Sequence, residues 1–449
     1  MDQNVFDTER LVPTYFKQAL PVVLGSLVTV LYNLVDTYFI AQTNNAALVA
    51  GVSICGPVFT LLMAFGNIYG QGSSSLVSRL MGKGDRESVG RISSFSFYIA
   101  ILTGIILAIP MLLFKAPILS LLGSSIDNAS HAGEYYTILT LGSPVIILTF
   151  IHSALLRCEG MSTVSMLGQA GGAIVNIILD PIFISVLGWG AAGAAVATVI
   201  GYIASDVFYL IVVLKRSRAL SVDPRSMKVS GGELRQIISV GITVAISNIA
   251  SSAAMIFMNR FLLPYGDDKI AALGIVTKVN MFGMMVLTGF SFGGMPLFGY
   301  LYGAEEREKV KKLIRFCLVF LGSLSLILTV GIFIAAPSLV RIFMDTESII
   351  NDGTAMLRWQ VAGSVFAGVV MLLTCIFQAT GKAIPALVLS LSRQGVLFLI
   401  VIAAAVSIAG YNGFLASQFA ADVLSAALAV VMYVVTFGNT KNKSAALPH

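Results

Sequence analysis

Apolar stretches long enough to cross about 30 Å of hydrocarbon as helices recur from one end of this sequence to the other. They fall at residues 14–40, 47–71, 92–114, 133–156, 163–186, 190–214, 235–260, 268–300, 312–335, 354–377, 384–408 and 412–436. In lipid every backbone amide must bond within its own segment or within a closed barrel. A barrel would alternate polar and apolar residues about every second position, which these runs do not. Hydrophobic residues make up 57% of the chain and charged ones 11%, against about 25% charged in soluble domains. The expectation is an all-α polytopic membrane protein with twelve transmembrane helices.

The opening MDQNVFDTER carries acidic residues where a secretory signal has a basic region, so the first helix is expected to stay in the mature protein. Twelve crossings put both termini on one side. Links on that side hold Arg79, Lys83, Arg86 and Arg91, then the basic stretches 215–235 and 307–315, with Arg157 and Lys382. The other side has Lys115, Arg260, Lys269 and Arg341. The positive-inside rule places both termini in the cytoplasm, in a bacterial cytoplasmic (inner) membrane. The net charge of +6 is then a matter of topology, and no nucleic-acid partner is expected. Cys55, Cys158, Cys317 and Cys375 are scattered singly, and no GxxxxGK[ST] loop is present. No metal site, cofactor, ATP-driven step or enzymatic activity is expected, so any work must draw on an ion gradient.

The sequence repeats itself. RLMGKGDRESV (79–89) is echoed by YLYGAEEREKV (300–310), a shift of 221, and LRCEGMSTVSM (156–166) by FQATGKAIPAL (377–387) in the same register. Six helices per copy is an even number, so both copies enter the membrane in the same orientation. Two pseudo-symmetric six-helix lobes are expected, 1–214 and 234–449, joined by the hydrophilic linker 215–233. Such a plan suits alternating access around a central cavity.

NIILDPIFI (176–184) sets a carboxylate and a proline inside a hydrocarbon-like run. Asp180 lies about 9 Å from the far end of its helix, Asp36 about 6 Å and Thr198 about 12 Å. Three polar residues thus reach similar depth. Asn176 precedes Asp180 by four and Asn33 precedes Asp36 by three, so each amide shares a helix face with its carboxylate. Pro181 has no amide hydrogen and frees the carbonyl of Ile177. Carboxylate, amide and hydroxyl oxygens are hard ligands suited to H⁺ or Na⁺. An aspartate near a helix end can also snorkel to the interface or cap a neighbour. At the repeat shift Asp180 falls on Val401, so the second copy has lost this acid.

The stretches LPVVLGSLVTVLYNLVDTYFI (20–40), SRLMGKGD (78–85) and NIILDPIFISVLGWGAAGAAVAT (176–198) together resemble the multidrug and toxic compound extrusion (MATE) family, in its DinF-like bacterial branch. The resemblance covers essentially the whole chain. It implies a secondary active antiporter, with Asp36, Asn176, Asp180 and Thr198 as the cation site of the N-terminal lobe.

Around this core stand further candidates. Pro21 is a hinge candidate, or a static kink, fifteen residues before Asp36. Asn33, Tyr135, Lys278 and Arg393 are additional polar candidates; Lys278 and Arg393 serve either structural pairing or a substrate's anionic group. Asp206 and Asp422 sit mid-helix as secondary ones. Tyr32, Met281, Met284 and Met285 are candidates to line a substrate cavity, Met being flexible and polarisable, although packing explains a methionine face as well. The expected partners are small-molecule drugs or toxic organic cations and membrane lipids, with the protein acting as a monomer. The alternative is a flippase or exporter of a lipid-linked or anionic substrate, for which Lys278 and Arg393 would outweigh the carboxylates.

Overall fold

The structure, a computed structural model, describes residues 5–438 and is helical almost throughout. Its crossing segments are α1 Leu11–Ala41, α2 Ala46–Lys83, α3 Arg86–Leu113, α4 Ala129–Leu141 with Ser143–Cys158, α5 Ser162–Val186 and α6 Gly190–Arg216. They continue as α7 Gly231–Tyr265, α8 Asp268–Gly303, α9 Arg307–Arg341 and α10 Glu347–Ala362 with Ser364–Ala379. The segment Ala383–Phe437 has 55 residues, about 80 Å of straight helix and more than twice what hydrocarbon requires. Its backbone leaves helical geometry at Gly410, with φ 57° and ψ −130°. It is therefore two crossings, α11 (383–409) and α12 (411–437), and the described residues make twelve.

Several boundaries differ from the apolar runs. The run for α2 ends at residue 71, but the helix continues to Lys83 because its serines are bonded inside the bundle. Ser73 Oγ lies 2.7 Å from Ser96 Oγ, and Ser74 Oγ 3.1 Å from Cys158 Sγ. The crossings α4 and α10 are bent, by 52° and 43°. Where α2 ends, Asp85 caps α3: its Oδ1 accepts the Ser88 amide at 3.0 Å, which holds this carboxyl below the usual carboxylate range.

The chain forms two compact units. One holds the residues up to Ile242 together with Gly299–Glu305, and the other Thr243–Phe298 with the residues from Glu306 on. In the first, α5 packs along both α1 and α6, and α4 packs against α2, α3 and α6. The hydrophilic stretch after α6 is fastened to the ends of α3 and α4. Ser93 Oγ donates to the Ser221 carbonyl, Tyr98 donates to the Val222 carbonyl, and Glu159 Oε1 accepts the amides of Arg218 and Ala219 at 2.8 Å. In the second unit a cluster including Leu262, Leu273, Val276, Val340, Leu357 and Phe398 forms the core. Large apolar side chains such as Ile327, Ile334 and Ile408 are exposed, which suits lipid as the surrounding solvent.

Candidate cation site

Two glycines set the site's dimensions. A methyl group on Gly172 would lie 2.5 Å from the Gly201 carbonyl oxygen, and one on Gly201 would lie 2.7 Å from that of Gly172. Only glycine at both positions lets α5 and α6 approach this closely. One turn further along α5 is Asn176, and at the same level of α6 is Thr198. Asn176 Nδ2 donates to Asp180 Oδ1 at 3.3 Å and to Thr198 Oγ1 at 3.5 Å. Asn176, Asp180 and Thr198 are buried, Asp180 completely.

Asp36 reaches the same pocket from α1. It is half-buried, and its carboxyl lies within side-chain hydrogen-bond reach of Asp180. Oδ1 of Asp36 and Oδ2 of Asp180 are buried and receive no donor from the protein. Each of the two neighbouring carboxyls therefore keeps one buried oxygen that the protein leaves unsatisfied. Two like charges this close in a low-dielectric interior repel by several kcal/mol unless a cation or a proton lies between them. After Asp180 the backbone widens into a π-helical turn, Pro181–Val186, beginning where the proline amide is missing.

Of the other sequence candidates, Tyr32 joins the pocket, its hydroxyl within reach of Thr198, and Tyr135 lies beside Asp36 and Asp180. Asn33 is exposed. Pro21 is buried within a continuous α1. Sequence reasoning missed Tyr202 and Gln169. Tyr202 follows Thr198 by one turn, a spacing that placed it on the same face. Both line a cavity of about 70 Å³ beneath the carboxylates, together with Thr29, Thr149, Asn176 and Ser205. It missed the pairing of His152 Nδ1 with Asp206 Oδ1, 3.1 Å apart and buried.

In the second unit Arg393 Nε donates to Asp422 Oδ1 at 3.0 Å, and Gln418 donates to the same oxygen. Arg393 Nη2 also lies 3.7 Å from Met284 Sδ. Lys278 and Met281 are exposed and Met285 is half-buried. Among the described residues no group of three or more His, Cys, Asp or Glu is placed to hold a metal ion.

Twelve helical crossings, with an acidic pocket inside the first unit, are the construction of a membrane transport protein. The MatE family pattern matches residues 21–182 and again 243–404. The multidrug export protein MepA of Staphylococcus haemolyticus is 29% identical over 96% of this chain and 94% of its own length. MepA of Staphylococcus aureus N315 is 29% identical over 92% and 91%. Among solved structures, the crystal structure of MATE in the bent conformation superposes with a TM-score of 0.92 at 24% identity, covering 99% of this chain and 100% of that one. A MOP superfamily transporter from Pyrococcus furiosus superposes at 0.89 and 24%, covering 98% and 99%. The chain belongs to the MATE family, and it is a transport protein and not an enzyme.

Proposed function

We propose that this protein is a secondary active antiporter that exports lipophilic, often cationic compounds in exchange for H⁺ or Na⁺ bound at Asp36, Asn176, Asp180 and Thr198. The observation that carries this reading is a pair of carboxyls, Asp36 within side-chain hydrogen-bond reach of Asp180, each keeping one buried oxygen without a donor. The pocket is complete only when a cation or proton arrives from outside. The names of the MepA relatives, as multidrug export proteins, support the substrate class.

The protein sits in the bacterial cytoplasmic membrane with both termini inside, and lobes 1–214 and 234–449, joined by the linker 215–233, carry out alternating access. A ligand shifts such an equilibrium only through different affinity for its states, so cation and drug each weaken the other's binding. Arg393 is engaged by Asp422, which favours cationic cargo over export of an anionic or lipid-linked substrate through Lys278 and Arg393.

Proteoliposomes given a pH gradient or a Na⁺ gradient separately test the reading. Efflux of tetraphenylphosphonium is expected to follow one of the two gradients and to vanish in Asp180→Asn, with membrane insertion intact. Efflux that follows neither gradient, or an Asp180→Asn protein that transports like wild type, refutes it.

A further inference from the structure

We propose that His152 and Asp206 form a relay that passes the coupling proton from the carboxylate pair to the cytoplasmic side beneath the linker. This rests on the proton-coupled form of the proposed function.

The cavity below the carboxylates begins at Asn176 and Thr198 and extends past Tyr202 to Thr149 and Ser205. Its volume of about 70 Å³ holds a short file of waters. Asp206 follows Ser205 directly on α6, its Oδ2 buried without a partner, and Thr149, whose hydroxyl donates to the Val145 carbonyl at 3.1 Å, precedes His152 by three on α4. His152 is the next step. Nδ1 faces Asp206 Oδ1, while Nε2 is buried without a partner, in a side chain only 4% exposed. His152 also lines a second cavity, of about 10 Å³, with Ser93 and the linker residues Leu220, Ser221 and Val222. That is room for about one water. An imidazole bonded on one side to a carboxylate, its other nitrogen left open, is chemically suited to transmit a proton.

The step balances without a co-reactant. A proton reaching Asp206 passes along its hydrogen bond to Nδ1 of a neutral ring, and the ring gives up the proton on Nε2 to water on the linker side. Exchange of the ring tautomer resets the pair. The titratable groups facing it are Tyr202 and Tyr209 on α6, and Arg157 on α4 acts on Tyr209. On α3 the ring meets Phe97, and α5 offers the Ser165 carbonyl, which accepts from Tyr209. The lining residues of the linker do not titrate; Asp223 follows them. In this state the Asn176 amide, bonded to both Asp180 and Thr198, stands across the entrance to the file, and an amide does not relay protons. The route is thus closed against leak.

The test compares wild type with His152→Gln and Asp206→Asn in three measurements: affinity for tetraphenylphosphonium against pH, counterflow exchange of that cation at equal pH, and efflux driven by a pH gradient. For both variants the pH slope of affinity and the counterflow rate are expected within twofold of wild type, and gradient-driven efflux at least tenfold lower. Gradient-driven efflux within twofold of wild type overturns the relay and leaves the carboxylate site standing. Loss of counterflow along with efflux marks the pair as structural and overturns it too. A flat pH slope in wild type refutes proton coupling itself, and the relay falls with it.

Discussion

The close approach of α5 and α6 makes Gly172→Ala a demanding perturbation. The added methyl would sit 2.1 Å from Ser205 Oγ and 2.5 Å from the Gly201 carbonyl oxygen, where ordinary contact begins at 3.4 Å. Ser205 can rotate, at the expense of its bond to the Gly168 carbonyl, but the Gly201 backbone cannot. The helices must part by about 0.9 Å, the difference between 3.4 and 2.5 Å. Asn176 Nδ2 and Thr198 Oγ1, already 3.5 Å apart, then lose their bond. Overpacking costs about 1–3 kcal/mol, and losing a buried hydrogen bond costs about 0.5–1.5 kcal/mol. The expected total is about 2–4 kcal/mol. Unfolding in detergent micelles reads the stability, and vesicle efflux of tetraphenylphosphonium reads the site. Gly171→Ala is the control, because a methyl there meets nothing within 4 Å. Gly172→Ala is expected to be less stable than this control by the stated amount and to transport at a fraction of its rate. A Gly172→Ala protein as stable and as active as Gly171→Ala would refute the claim that helix spacing builds the site.

Two further outcomes are expected. Arg393→Met strands the buried Asp422 carboxylate and should destabilise the protein by about 3–5 kcal/mol, while the double variant Arg393→Met/Asp422→Leu recovers most of that loss, as read by thermal unfolding. Glu159→Ala releases the amides of Arg218 and Ala219 from their acceptor, so trypsin should cut after Arg218 at least several-fold faster than in wild type, with no change in cleavage near the N-terminus.

Much of the fold was legible because lipid leaves the backbone so few options. Apolar runs located the crossings, and the 221-residue echo marked the doubling that the family pattern also finds, at 21–182 and 243–404. Where the reading fell short, the cause was tertiary. Buried serines in α2 are tolerated only because α3 and α4 supply partners, and hydropathy cannot see partners. Depth along each helix brought Asp36, Asn176, Asp180 and Thr198 to one level, and the structure gathers all four. Depth alone could not say that Asn33 is exposed, nor that α4 turns His152 onto Asp206 of α6. Arg393 likewise read as a mid-span cation, while its partner Asp422 lies 29 positions on, in another crossing.

The central claim is that a cation or proton held between Asp36 and Asp180 is displaced by cargo. The most direct test is the affinity of purified protein for tetraphenylphosphonium across pH and Na⁺ concentration. One-for-one competition predicts that wild-type affinity falls by up to tenfold for each unit drop in pH or each tenfold rise in Na⁺, and that Asp36→Asn and Asp180→Asn bind with no such dependence. An affinity flat in both variables for wild type, or a slope unchanged in Asp180→Asn, would contradict it.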